Sequence, residues 1–243
     1  MLQIFSEIDK LQEEINTYRP LPPNTIKQLK EYYRVGLTYS SNALEGNSLT
    51  ETETKVVLED GITIGGKPIK DYYEALGHSE AYDYIYKLAK NGEFTEDNIK
   101  KLHKFFYNRI DDTRAGKYRT EKVFISGSKY SLPSPEKVNS LMSEFVTKMG
   151  TVKNMHPVEY ATIAHKELVF IHPFIDGNGR VARLLMNLIL LQKNYCIAII
   201  PPILRRDYIN ALEKAHTDDS DFKKFIAKTV KETQKDYLRL LRA

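Results

Sequence analysis

Apolar residues recur along most of this chain at intervals of three and four, the spacing that places them on one face of an α-helix. In the first segment, for example, Ile4, Ile8, Leu11 and Ile15 fall on one side. Clusters of proline, glycine and small polar residues, such as TYRPLPPNT, separate the periodic segments. The pattern therefore predicts an all-α fold. The predicted helices cover residues 2–18, 24–46, 50–58, 71–89, 95–109, 134–149, 157–170, 179–192, 205–216 and 220–241.

One segment, KVFISGSKYSLP at residues 122–133, departs from the helical period. It has two short runs of β-forming residues around a small polar turn, and this pattern predicts a small β-hairpin. A lone hairpin is marginally stable in water, so it has to rest against the helices, where it would serve as a flap over a binding site. The candidate flap residues are Phe124, Ile125, Ser126 and Gly127.

The composition is that of an ordinary globular protein, with 42% hydrophobic and 28% charged residues in a chain of 243. That length allows one large domain, or one core domain with a smaller appendage. The net charge of +4 is small and dispersed along the chain, which indicates a solvated surface with a bias toward acidic ligands. It lacks the basic patch of a nucleic-acid-binding protein, so we expect no nucleic-acid partner.

The sequence also predicts where the protein resides. No apolar run approaches the roughly 20 residues that span a bilayer, so we expect no membrane association. Residues 1–15 have the pattern of an amphipathic helix and not that of a signal peptide. Cys196 is the only cysteine and lies in the apolar run CIAII, which favours a buried small hydrophobic residue. These features predict a cytoplasmic protein.

The segment HPFIDGNGRVAR, which begins at His172, concentrates chemically reactive residues. Because a proline disfavours the helical conformation at the preceding residue, Pro173 places His172 at the end of a helix or just after it. An imidazole exposed there is able to accept a proton near neutral pH. Asp176 supplies a hard oxygen ligand, suited to Mg²⁺ that is held jointly with phosphate oxygens.

The second half of the same segment is suited to binding anions. Gly177, Asn178 and Gly179 let the backbone turn with its N–H groups inward at the start of a helix, where the helix dipole also favours phosphate. Arg180 and Arg183 are three residues apart on that helix and share a face, so their guanidinium groups can hold two phosphate groups. A lone DGNG is usually an ordinary turn, and two arginines on a helix are usually solvated. Their combination within twelve residues favours chemistry on a polyphosphate.

This segment resembles the signature of the Fic family, H-x-F-x-[D/E]-G-N-G-R-x-x-R, without a departure. The resemblance extends over roughly residues 70–230 and includes the predicted flap. The matching positions are His172, Phe174, Asp176, Gly177, Asn178, Gly179, Arg180 and Arg183.

The resemblance implies an α-helical Fic fold and transfer of AMP from ATP to a hydroxyl group of a protein side chain. His172 would deprotonate the attacking Ser, Thr or Tyr hydroxyl, and Asp176 would ligate Mg²⁺, with Mn²⁺ as the alternative. The glycine turn and Asn178 would hold the α- and β-phosphates. Arg180 and Arg183 would bind the β- and γ-phosphates. The flap would align the target segment as an added strand.

A second motif, SSNALEGNSLT at residues 40–50, lies before the first. Ser41 and Glu45 are four residues apart at the end of a predicted helix and share a face, with Gly46 as a cap. Taken alone, this is a polar helix end. It also resembles the family's inhibitory motif, [S/T]-x-x-x-E-[G/N], which implies that Glu45 pairs with Arg183 and withholds it from the γ-phosphate.

The resemblance divides the chain into N-terminal helices at residues 1–66, which include the inhibitory helix, and residues 67–243. The second part comprises the catalytic core and the C-terminal helices as one compact unit. ATP and a target protein are the implied partners, and a homo-oligomer stays open.

The residues and the resemblance leave four functions open. The first is an autoinhibited adenylyltransferase that modifies a target protein and itself, and the intact motif favours it. The second is transfer of another phosphate-containing group at the same site. The third is removal of AMP, with Glu45 positioning a water molecule. The fourth is a non-catalytic regulator.

Overall fold

The computed structural model describes residues 1–91, 94–152 and 154–242, and the regular structure within these ranges is entirely helical. The all-α prediction is confirmed, and each predicted helix is present with ends that shift by a few residues. No helix in the described ranges combines the length and apolar composition that crossing a bilayer requires. Helices α1 to α10 cover Leu2–Thr17, Pro23–Ala43, Glu51–Glu59, Ile69–Asn91, Glu96–Tyr107, Pro135–Thr151, Pro157–Ile171, Asn178–Gln192, Arg205–Lys214 and Ser220–Arg242, with a 3₁₀ turn at Pro202–Leu204 before α9.

Helix α8 lies at the centre of the fold because it is apolar around most of its circumference, as expected of a fully buried helix. Every residue from Arg180 to Leu190 is buried, and α8 packs against α4, α5 and α7. The polar Asn187 is satisfied by two hydrogen bonds to the backbone of Ala198, at 3.1 and 2.7 Å. The N-terminus of α8, where the first motif lies, is therefore held by the core itself.

The N-terminal helices belong to the same core as the rest of the chain. One hydrophobic cluster contains Leu29, Tyr33 and Leu37 of α2 together with Ile85 of α4 and Leu188 of α8. Helix α2 packs on α3 and α4, and α1 packs along α10. The end of α2, which carries the second motif, is thereby brought to the start of α8.

The segment predicted as a β-hairpin, residues 122–133, is a loop without strand pairs. Its turn is confirmed, since the Ser128 N–H donates to the Ile125 carbonyl at 3.2 Å and Gly127 has a φ of 85°. The strand ladder is absent because the loop is fastened to α9. Glu213 accepts hydrogen bonds from the Ser128 hydroxyl at 3.0 Å and from the Lys129 N–H at 2.7 Å. The flap is therefore positioned by a side chain of α9.

Two buried histidines make the stability of the fold sensitive to acid. His78 and His165 have no exposed surface, and burial lowers the pKa of each imidazole to about 3, with a further contribution from the positive charge of Arg183. His78 contacts the Thr38 hydroxyl at 3.1 Å, and His165 contacts the Tyr208 hydroxyl at 3.0 Å. Both imidazoles are therefore neutral in the folded protein at pH 5 to 7.

We expect the free energy of unfolding to decrease as the pH is lowered from 7 to 5. The unfolded chain protonates His78 and His165 below a pH of about 6.5, whereas the folded chain resists protonation until the pH approaches their lowered pKa values. Acid therefore favours the unfolded state, by about 2 kcal/mol for each histidine over this interval. Urea unfolding at both pH values measures the effect, and His78→Gln should remove about 2 kcal/mol of it. Equal unfolding free energies at pH 7 and 5 would contradict this account.

Candidate active site

The first motif occupies the connection between α7 and α8. Helix α7 ends at Ile171, and His172 caps it in the left-handed conformation, with φ 51° and ψ 59°. The His172 N–H donates to the Leu168 carbonyl at 2.9 Å. The imidazole lines a cleft that Glu45 and Gly179 also line. A non-glycine residue in this conformation is held by its surroundings, a feature that recurs at functional sites.

The imidazole of His172 is prepared to accept a proton. Its Nδ1 lies 3.3 Å from the Val169 carbonyl oxygen. Because a carbonyl can only accept, Nδ1 carries the hydrogen and Nε2 presents its lone pair. Burial, opposed by the hydrogen bond to Val169 and aided by the positive charge of Arg119, lowers the pKa of His172 to about 4. The side chain is therefore neutral at pH 7.

Arg119 supports this histidine and was missed by sequence reasoning. It is 5% exposed, and its Nε donates to the His172 carbonyl at 2.7 Å. Another guanidinium nitrogen donates to the Pro133 carbonyl at 2.7 Å, and its backbone N–H donates to the Pro173 carbonyl at 2.9 Å. Arg119 thus joins the flap to the motif. It lies 53 residues before His172, so no local spacing points to it.

The loop between His172 and α8 is closed by its own side chains. Asn178 accepts from the Phe174 N–H at 2.9 Å and donates to the Phe174 carbonyl at 2.8 Å. Phe174 is fully buried and stacks on His103 with ring centroids 3.9 Å apart. Gly177 has a φ of 79°, and a Cβ there would lie 2.8 Å from the Phe106 ring, so only glycine fits. The side-chain amide of Asn178 is therefore already engaged within the loop. The backbone N–H of Asn178 is the group left for a phosphate.

The first turn of α8 forms an anion cradle. The N–H groups of residues 178–180 have no acceptor within the helix, and the helix dipole favours negative charge at this end. The carboxylate of Glu45 already supplies that charge. It lies so close to this turn that a Cβ at Gly179 would overlap it. The Glu45 carboxylate therefore stands over the helix terminus, where a phosphate group would be favoured.

The contact implied between Glu45 and Arg183 is present. The Arg183 guanidinium donates to Glu45 Oε1 at 2.7 Å, to the Ser41 hydroxyl at 2.9 Å and carbonyl at 2.8 Å, and to the Tyr208 hydroxyl at 3.3 Å. Ser41 therefore binds the arginine as well as lying one turn before the glutamate. Burial raises the pKa of Glu45, but the charges of Arg183 and Arg180 outweigh it and hold that pKa below its usual value. The pair is ionised at neutral pH.

Arg180 has a different set of partners, although it was predicted to share a face with the second arginine. Its guanidinium donates to Glu74 of α4 at 2.8 Å and to Asp176 at 3.1 Å, and it lies 4.4 Å from the centre of the Phe106 ring. Arg180 and Glu74 are 3% and 4% exposed. Glu74 was missed by sequence reasoning because it lies 106 residues earlier in the chain.

Asp176 is the candidate metal ligand. One carboxylate oxygen accepts the Gly177 N–H at 2.6 Å, and the other lies 3.5 Å from the Lys70 ammonium. Burial raises the pKa of Asp176, but Arg180, the Gly177 N–H and Lys70 together hold it below its usual value. Across the described ranges, no group of three or more His, Cys, Asp and Glu side chains is arranged to hold a metal. A divalent cation here would share its coordination with phosphate oxygens and water, which is the usual habit of Mg²⁺.

The flap borders the same cleft as His172. Ile125 and Tyr130 line the cleft, and the Tyr130 ring stacks on His216 at 3.9 Å. Phe124 is 91% exposed at the outer side of the flap. Ser126 and Gly127 form the tip between these two parts. The predicted flap residues thus lie beside the catalytic candidate, with an apolar side chain presented to solvent.

The chain is similar to known proteins in sequence. Residues 93–190 match the model of the Fic/DOC family. Curated relatives carry the name protein adenylyltransferase Fic, and two of them illustrate the similarity. The one from Nematostella vectensis is 34% identical over 241 residues, covering 95% of this chain and 55% of the relative. The one from Drosophila erecta is 37% identical over 204 residues, covering 82% and 41%. The chain spans about half the length of these relatives.

The similarity in three dimensions extends over nearly the whole chain. The solved structure of Fic-1 (residues 134–508) from C. elegans superposes with a TM-score of 0.87 at 30% identity. The match covers 99% of this chain and 72% of that one. The N-terminal helices and α9 and α10 are therefore included in the similarity, along with the segment that the family model matches.

Proposed function

Because the chain belongs to the Fic family, we propose that it transfers AMP from ATP to a hydroxyl group of a protein side chain, and that Glu45 restrains this reaction. One observation carries the proposal. The Glu45 carboxylate stands over the first turn of α8 and is paired with the buried Arg183, so an anion already occupies a cradle suited to phosphate. The names of the curated relatives support the same activity.

In this reaction His172 acts as the general base. Its Nε2 takes the proton of the attacking Ser, Thr or Tyr hydroxyl as the hydroxyl oxygen forms a bond to the α-phosphorus of ATP. The bond from the α-phosphorus to the bridging oxygen breaks, and pyrophosphate leaves. The N–H groups in the first turn of α8 donate to phosphate oxygens, where charge accumulates in the transition state.

The remaining motif residues hold the phosphates. Arg183, once released from Glu45, becomes the partner of the γ-phosphate. Asp176 would hold Mg²⁺ or Mn²⁺, which when bound neutralises negative charge on the phosphates. Arg180 adds positive charge at the same end and, through its bond to Asp176, orients that carboxylate.

Glu45 restrains the reaction by simple electrostatics. While it is bound to Arg183, the γ-phosphate lacks its partner and meets a carboxylate of like charge. ATP then binds in a pose that does not allow in-line attack on the α-phosphorus. Release of Glu45 removes the repulsion and supplies the missing guanidinium group.

The flap provides the surface for the target protein. Its backbone is not paired in a strand ladder, so the N–H and C=O groups that are not already bonded within the flap, to Glu213 or to Arg119 are available to an extended segment of the target. Phe124 offers an exposed apolar contact beside that segment. The proposed target presents a Ser, Thr or Tyr hydroxyl in an extended segment, and self-modification would use a second copy of this chain.

Removal of AMP is the second candidate function, because Glu45 and His172 line the same cleft. A carboxylate there is able to orient a water molecule toward a bound phosphodiester. In that reaction water would attack the phosphorus and the protein hydroxyl would leave, with the site residues otherwise unchanged.

Mass spectrometry separates the functions. We expect Glu45→Gly protein incubated with Mg²⁺ and each of the four ribonucleoside triphosphates in turn to gain the mass of one or more AMP groups from ATP. If none of the four nucleotides gives an adduct, the transferase proposal is contradicted. The AMP-modified protein is then mixed with the parent protein. Loss of AMP that requires Glu45 in the added protein would favour the removal reaction instead.

A further inference from the structure

The chain immediately after Glu45 is fastened to α4. The Asn47 side-chain amide donates to Glu74 Oε2 at 2.9 Å and to the Asp71 carbonyl at 3.0 Å. The Ser48 N–H donates to the Asp71 carboxylate at 2.8 Å, and its hydroxyl donates to the same oxygen. Two residues of α4 thus receive four hydrogen bonds from two consecutive residues. We call these two acceptors, Asp71 and Glu74, the seat.

The end of α2 has a fixed geometry on either side of Glu45. Gly46 adopts a φ of 95°, and the Asn47 N–H donates back to the Asn42 carbonyl at 3.2 Å, the closure typical of a helix C-terminus. On the preceding side, Arg205 donates to the Leu44 carbonyl at 2.7 Å. The backbone that carries Glu45 is therefore held by α9 on one side and α4 on the other.

This support matters because the Glu45 side chain is only partly enclosed by the protein. Its side chain is 36% exposed, and its described ion pair is with Arg183. Arg183 is buried, but solvent reaches the exposed side of the carboxylate and screens the pair in part. The position of the carboxylate over α8 therefore depends on the backbone of residues 44–48 staying in place.

Building on the proposed autoinhibition, we propose that the seat on α4 sets the strength of inhibition and that Asn47 is the positioning residue that acts through Glu45. The seat is contiguous with the phosphate site, since one oxygen of Glu74 binds Asn47 and the other binds Arg180. When Asn47 leaves the seat, the end of α2 is free to move, and the Glu45 carboxylate leaves the anion cradle.

The test changes Asn47, which does not contact either motif arginine, and leaves Glu74 intact. Asn47→Asp places a carboxylate against Glu74 and the Asp71 carbonyl, so the attraction becomes repulsion. We expect transfer from ATP labelled at the α-phosphate onto the protein itself to rise roughly tenfold when Glu45 is present. In a Glu45→Gly chain the same change should alter the rate by less than about twofold, because the group it positions is gone.

Two controls accompany the measurement. Asn24→Asp makes the same charge change at the exposed opposite end of α2, roughly 30 Å away along the helix, and should leave the rate unchanged. Ser48→Ala removes one bond to the seat and should raise the rate in the same direction by a smaller factor. It replaces Asn47→Asp in the comparison if circular dichroism shows that Asn47→Asp is unfolded.

The outcomes distinguish this inference from the proposed function. If Glu45→Gly transfers AMP but neither Asn47→Asp nor Ser48→Ala exceeds the rate of the parent protein, the inference is wrong. It is also wrong if the variants change the rate equally with and without Glu45, which is the result of a merely structural role. The dissociation constant of ATP with Mg²⁺, measured by calorimetry, gives a second readout that does not depend on transfer. There too, Asn47→Asp and Ser48→Ala should tighten ATP binding only when Glu45 is present.

Discussion

Replacement of His172 with alanine is expected to reduce AMP transfer by at least ~100-fold, the typical contribution of a positioned general base. The fold should persist, because the contacts that hold this position are made by its backbone, to Leu168 and to Arg119. The rate is measured with ATP labelled at the α-phosphate, in the Glu45→Gly chain, where restraint is removed. Calorimetry should find ATP binding within a few-fold of the parent, since no phosphate contact is assigned to the imidazole.

The combination of lost transfer and retained ATP binding is the diagnostic result for His172. Transfer at the rate of the Glu45→Gly parent would exclude His172 as the base. Loss of both transfer and ATP binding, with a lowered unfolding temperature, would indicate that the left-handed cap at the end of α7 had collapsed.

Replacement of Glu45 with glycine is expected to raise AMP transfer by roughly 10- to 100-fold. The estimate is that of a charge-assisted hydrogen bond to a guanidinium group, reduced because the carboxylate is partly exposed. The change frees Arg183 for the γ-phosphate and clears the N-terminus of α8. It is measured as the initial rate of label transfer onto the protein itself, with the parent protein at equal concentration.

Two variants control the Glu45 result. Glu45→Gln retains a hydrogen-bonding group without the charge and should fall between the parent and Glu45→Gly. Glu45→Gly combined with Arg183→Ala should be inactive, because the partner of the γ-phosphate is gone. If Glu45→Gly is no faster than the parent, the autoinhibition proposal fails even though the ion pair exists.

The amino-acid sequence determined the helices and the local form of the first motif. The three- and four-residue spacing of apolar residues fixes which segments become helices, since each must bury one face. Pro173 ends α7 and leaves His172 at the helix end, and Gly177 permits the turn into α8. These outcomes depend on neighbours within a few residues, so the sequence contains the whole of the information. The pairing of Glu45 with Arg183, 138 residues away, came from family resemblance and not from spacing.

Only the tertiary structure decided which distant side chains complete the site. Glu74 on α4 and Arg119 before the flap meet the motif because α4, α7 and α8 pack together, and no periodicity within the chain encodes that meeting. The same packing leaves the Asn178 side chain bonded within its own loop. It also lets Glu213 hold the flap in place, which a strand ladder was predicted to do. A buried polar group must find a partner wherever the fold brings one, and that partner is set by three-dimensional proximity and not by distance along the chain.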